Sequence, residues 1–171
     1  MKKILTTLVA VLMFTAMTYG EEKFAYINAQ AVLMDMPEVA EMQKTLEAEQ
    51  TKYKGEMDLI QKEYEDKMMA YKEQEATMSD AMKQTRQSEL ADIEQRYQTF
   101  VQSVRQELQK KQEEIMAPIF EKLQNAIKDV GAEKGFTYIL DESTQVILYH
   151  APSAVDAEPL VRAKLGLAKK Q

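Results

Sequence analysis

The chain has 171 residues, 29% of them charged, and a formal net charge of −6, with a single His and no Cys. The missing Cys excludes disulfides, thiolate metal sites and thiol nucleophiles, and one His excludes a multi-His centre within one chain. Five Gly and four Pro are too few for a loop-rich fold, so this charged, Met-rich chain predicts long helices.

Lys2 and Lys3 precede an apolar run from Ile4 to Phe14, and small residues at Thr18 and Gly20 lead into Glu21, Glu22 and Lys23. This pattern describes a secretory signal peptide over residues 1–20. The run is well short of the ~20 apolar residues of a spanning helix, so a soluble, exported chain without stable membrane insertion is expected. With Lys2 and Lys3 gone, the 22 basic residues become 20 against 28 acidic, and the net charge moves from −6 to −8. A surface so acidic disfavours nucleic acid as a partner.

Phe24-Ala25-Tyr26-Ile27-Asn28 reads as a short strand. From Glu38 to Ala117 there is no Pro and one Gly, Gly55. Val39, Met42, Leu46, Tyr53, Met57, Ile60, Tyr64, Met68 and Tyr71 recur at helical spacing. A second stripe runs through Leu90, Ile93, Tyr97, Phe100, Val104, Leu108, Ile115, Ile119, Leu123, Ile127 and Val130. Each stripe is narrow and its other faces are charged, as in a two-helix coiled-coil seam. Asp58–Lys62, Glu63–Lys67 and Glu107–Lys111 are acid-first pairs at i,i+4 that favour the helix.

The weakest helical stretch is Ala76-Thr77-Met78-Ser79-Asp80, where Ser79 and Asp80 suit a new helix start. A fold-back at 77–80 follows, with Leu46 near Leu108, Met57 near Tyr97, Tyr64 near Leu90, and Pro37 beside Pro118. Pro37 suits a helix start, whereas Pro118 lies inside the helical pattern and predicts a kink. Gly55 and Pro118 are the candidate hinges of the arm.

Beyond Gly131 and Gly135, both read as helix stops, Phe136-Thr137-Tyr138-Ile139-Leu140-Asp141 and Val146-Ile147-Leu148-Tyr149 read as two strands joined by a turn at 142–145. A terminal helix is expected over 154–165, with Asp156 as its cap. The fold class is therefore α+β: a helical hairpin over 37–118 on a small β body built from 21–36 and 119–171. Three short strands are unstable alone. Phe24, Tyr26, Ile27, Phe136, Tyr138, Ile139, Leu140, Val146, Ile147, Leu148 and Tyr149 offer more apolar surface than one helix can cover. These residues are the expected oligomerisation surface, because burial at ~25 cal/mol per Å² drives association.

The opening strand ending in Asn28, the long charged hairpin, Gly135-Phe136-Thr137-Tyr138-Ile139-Leu140-Asp141, Val146-Ile147-Leu148-Tyr149 and the closing Asp156-Ala157-Glu158-Pro159-Leu160-Val161 together resemble the Skp/OmpH family of periplasmic chaperones. The resemblance implies a homotrimer whose helical arms enclose a cavity that holds unfolded outer-membrane proteins without ATP or any other cofactor. Basic arms in well-known members suit acidic clients and lipopolysaccharide. Here Lys72, Lys83, Arg86, Arg96 and Arg105 are interspersed with acids, so no lipopolysaccharide site is carried over. Flexible, polarizable Met suits a promiscuous surface, and Leu59, Met69, Met78 and Met82, off the seam or near the tip, are the candidate client contacts. The sequence shows no catalytic or metal-ligating constellation. The alternative reading is a coiled-coil spacer or adaptor of the cell envelope.

Overall fold

The computed structural model describes residues 22–144 and 146–168; the signal-peptide reading lies outside the described residues. The chain runs β1 (Phe24–Ile27), α1 (Ala29–Met34), α2 (Pro37–Gln74), a 3-10 turn (Glu75–Thr77), α3 (Asp80–Lys134), β2 (Tyr138–Asp141), a second 3-10 turn (Glu142–Thr144), β3 (Val155–Asp156) and α4 (Glu158–Leu165). Leu33–Leu123 form one compact unit. The described residues up to Val32, with those from Gln124 onward, form the other.

In the helical unit, α2 starts with Pro37 in its first turn, where the missing N–H costs nothing. The chain reverses through the 3-10 turn and extended Met78. Ser79 supports the new helix only loosely, accepting the Met82 N–H at 3.4 Å. Every residue of both predicted stripes is buried or half-buried, with Val39, Met42, Tyr71, Leu90, Ile93, Val104, Ile119 and Leu123 of this unit fully covered. Cross-helix partners fix the register. Tyr53 packs edge-on against Phe100 at 6.3 Å, Gln87 Nε2 donates to the Tyr71 hydroxyl, and Tyr64 shares a cleft with Ile93. The reversal is therefore centred near Met78, and the pairing slides by less than one turn from the expected Tyr64–Leu90 match. Pro37 and Pro118 do line one cleft, together with Met42, Ile115 and Ile119. α3 is continuous through Pro118.

Of the acid-first pairs expected within each helix, Glu63–Lys67 is replaced by pairs across the hairpin. Lys67 bonds Glu89 at 3.2 Å, Arg96 holds Glu63, and Lys122 holds Glu38. A partner on the other helix brings two faces together, whereas an i,i+4 partner only decorates one.

In the second unit, β1 is the central strand of a three-stranded sheet ordered β2-β1-β3, and both pairings are parallel. This corrects the strand–turn–strand reading of 136–149. Val146–Tyr149 forms no strand; β1 has two edges, and β2 and β3 occupy both. The expected terminal helix also changes. Val155 and Asp156 pair with β1, and the helix begins only at Glu158, whose N–H is accepted by Asp156 Oδ1 at 2.8 Å.

Two helix ends in this unit close in the same way. Gly135 has φ +66° after α3, and the Phe136 N–H reaches back to the Gly131 carbonyl at 3.0 Å. Gly166 has φ +71° after α4, and the Leu167 N–H reaches the Arg162 carbonyl at 2.9 Å. Left-handed backbone of this kind favours Gly. Gly131, expected as a stop, lies inside α3 instead. α1 is an unanticipated element: Asn28 Oδ1 caps it by accepting the Ala31 N–H at 2.8 Å. Asp141 Oδ1 accepts the Ala29 N–H at 3.2 Å and the Ser143 N–H at 2.9 Å, tying the end of β2 to the start of α1.

Candidate functional surfaces

The sheet has two unlike faces. Ala25 and Ile27 of β1 are buried, with Ile27 only 1% exposed. Phe24 pairs with Tyr138 and Tyr26 with Leu140 in register. Partners in a parallel pair point to the same side, so these four side chains share the opposite face. Phe24, Tyr138 and Leu140 are exposed there, and the Phe24 and Tyr138 rings stack at 5.6 Å. A parallel sheet normally has both faces covered; this one has an aromatic face open to water.

The open segment 146–149 adds to that surface. Val146, Leu148 and Tyr149 are 79%, 95% and 80% exposed. His150, at the end of this segment, stacks on the Tyr26 ring at 4.1 Å and places Nε2 3.7 Å from Glu142. That stack holds the segment's end against the central strand. Burial, together with the charges of Asp156, Glu142 and Glu158, raises the pKa of Tyr26.

Among the expected oligomerisation residues, the structure thus places Phe24, Tyr138, Leu140, Val146, Leu148 and Tyr149 in the open and leaves Tyr26, Phe136, Ile139 and Ile147 half-buried. Ile27 is the correction: it is core within the single chain. Alternation along β1 carried that distinction, since Ile27 lies on the side of Ala25 and not of Phe24. Val155, exposed on β3, was not anticipated, because a two-residue strand leaves no periodic signal.

On the helical unit, Leu59 is 70% exposed, Met69 and Met82 are exposed, and Met78 is half-buried at the reversal. Nothing lies within 4 Å of the position a Gly55 Cβ would occupy, so Gly55 answers no packing demand. Tyr53 donates its O–H to Glu107 at 2.6 Å. That bond, with burial and the nearby charges of Glu107, Glu49 and Glu56, pushes its pKa up to about 12. Glu89 lies below the usual carboxylate range because it is held first by Arg86 and then by Lys67. Glu38 is lowered by its bond from Lys122.

Among the described residues no cluster of His, Asp and Glu is placed to hold a metal ion, and no helix is long and apolar enough to cross a membrane. The exposed surfaces of the sheet are apolar.

Comparison with known proteins agrees over nearly the whole described chain. The family described as outer membrane protein (OmpH-like) matches residues 23–165. The chaperone protein Skp of Pectobacterium atrosepticum is 22% identical over 154 residues, covering 90% of this chain and 93% of that one. A crystal structure of an OmpH-like protein from Caulobacter crescentus superposes with a TM-score of 0.73 at 12% identity, covering 85% of each chain.

Proposed function

The chain belongs to the OmpH-like family, and from that premise we propose that it is an ATP-independent holdase of the periplasm that shelters unfolded outer-membrane proteins. In this reading residues 1–20 direct export and are removed. Three copies join through the open face of the sheet and the 146–149 segment as a homotrimer. The helical hairpins act as coiled-coil arms around a client cavity, with Leu59, Met69, Met78 and Met82 among the contacts and with flexure at Gly55 and Pro118.

One observation carries the reading. The chain spends its apolar residues in two separate ways, a covered seam on the hairpin and an uncovered aromatic face on the sheet. The first needs no partner. The second meets water in a single chain and would be buried by like copies, at ~25 cal/mol per Å². Once the sheets are joined, the exposed Leu and Met of the hairpins remain available for weak, repeated contacts. Such contacts in a confined space hold a chain through effective concentration and release it without fuel. No side chain needs to do covalent chemistry.

The test is aggregation of a client. A urea-denatured outer-membrane protein is diluted into buffer with and without the purified protein, and turbidity is followed. Suppression at about one oligomer per client is expected. Undiminished turbidity at several-fold excess refutes the holdase reading and leaves the spacer.

A further inference from the structure

One apolar cleft of the hairpin is walled by Ile60 and Tyr64 from α2 and by Ile93 and Tyr97 from α3, with Gln61 and Glu94 completing the lining. Its volume of about 240 Å³ falls below the ~300–1,000 Å³ of pockets for small-molecule ligands. A space of that size suits one or two side chains of an extended polypeptide.

The charge around it is one-sided. Residues 56–66 carry five acids and one Lys, and residues 89–97 carry three acids and one Arg. Three of the four nearest cations are already engaged: Arg96 holds Glu63, and Lys67 and Arg86 both hold Glu89, which leaves Lys62 as the one cation near the cleft outside these pairs. Among the described residues no cation pairs with Glu56, Asp58, Glu65, Asp66, Asp92 or Glu94. Glu65 accepts only the amide of the cleft residue Gln61, at 3.1 Å. An uncompensated carboxylate therefore stands beside the cleft on α2, and another, Glu94, within it on α3. The two Tyr rings add negative π faces, which attract Lys and Arg.

We propose that this cleft receives basic-apolar stretches of unfolded polypeptide. An aromatic or aliphatic side chain enters between Tyr64 and Tyr97, and a neighbouring Lys or Arg of the same stretch meets Glu65 and Glu94. The inference rests on the holdase reading and gives it a client chemistry. The walls supply sequence-tolerant apolar contact, and the acids select the sign of the flanking charge.

The experiment measures fluorescence anisotropy of three labelled peptides of equal length with the full oligomer. One alternates Lys and Phe, one alternates Glu and Phe, and one alternates Lys and Ser. At low salt the Lys–Phe peptide is expected to bind about tenfold more tightly than the Glu–Phe peptide, the worth of two or three exposed ion pairs. It should also bind about tenfold more tightly than the Lys–Ser peptide, and the advantage of Lys over Glu should shrink at high salt. Glu65→Lys with Glu94→Lys should reverse the preference between the first two peptides. Glu65→Gln with Glu94→Gln should abolish it, and serves if the reversal variant does not fold. Equal binding of the Lys–Phe and Glu–Phe peptides, equal binding of Lys–Ser, or an unchanged preference in the folded Gln variant overturns the proposal. Absence of a charge preference in the unaltered protein, with suppression of client turbidity intact, overturns this inference alone. Absent suppression in the unaltered protein overturns the holdase reading beneath it.

Discussion

Leu148→Asp separates a residue that builds the subunit from one that joins subunits. Leu148 is 95% exposed, so within one chain the substitution removes almost no buried contact, and surface changes of this kind stay within ~0.5 kcal/mol. In an assembly that covers residue 148 the cost has two parts. The lost burial of a Leu side chain is worth about 1.5–3 kcal/mol, and an unpaired carboxylate taken out of water adds several more. About 4 kcal/mol per subunit follows, close to a thousandfold weaker association. Ile27→Ala is the counterpart. At 1% exposed it should cost about 2–5 kcal/mol of folding stability through the cavity it leaves. Sedimentation velocity at micromolar concentration, with circular dichroism on the same samples, reads both effects. The expected result is an oligomer for the unaltered protein, helical monomers for Leu148→Asp and a lowered melting temperature for Ile27→Ala. A Leu148→Asp protein that sediments like the unaltered oligomer would refute the argument.

Gly131→Ala and Gly135→Ala should move stability in opposite directions in thermal melts. A Cβ at Gly131 meets Ile139 Cδ1 at an ordinary 3.6 Å inside a helix, which favours Ala by up to about 1 kcal/mol; Gly135, at φ +66°, should lose about 1 kcal/mol. Gly55→Ala with Pro118→Ala should stiffen the hairpin, raise its melting temperature and narrow the range of client sizes captured; unchanged capture of small and large clients would remove both residues as hinges. In acid, the lowered pKa values of Glu38 and Glu89 mean that their ion pairs contribute fully above the ordinary value of 4.5 and are lost as pH falls through the lowered ones. Melting temperature should therefore drop below about pH 4.5, and Glu89→Gln should flatten that drop.

The parts legible in the sequence were those with a repeating signal or a stereochemical requirement. The seam was legible because side chains from Val39 to Val130 recur at the helical period, and all of them are covered or half-covered. Pro37 and Gly135 were legible because only certain backbone positions tolerate or favour them. The sheet was legible as apolar segments but not as a topology. Val146–Tyr149 has the composition of a strand, yet composition does not say which edge is vacant, and here β2 and β3 take both. A two-residue strand such as β3 and a six-residue helix such as α1 are shorter than any period that would reveal them. Ion partners were misassigned for a related reason: sequence offers i,i+4 neighbours, while Glu63 and Lys67 find closer ones across the hairpin.

The central strand sits near the amino end of the chain and its partners near the carboxyl end: the bond from Ala29 to Asp141 spans 112 positions. Closing so long a loop is slow and entropically costly. A formed hairpin shortens the search, because with Glu38 held to Lys122 the loop left to close is far shorter than 112 positions. During synthesis β1 waits, both of its edges unpaired, until almost all of the chain has emerged. Until then the chain carries unpaired strand edges of its own, the state in which polypeptides aggregate.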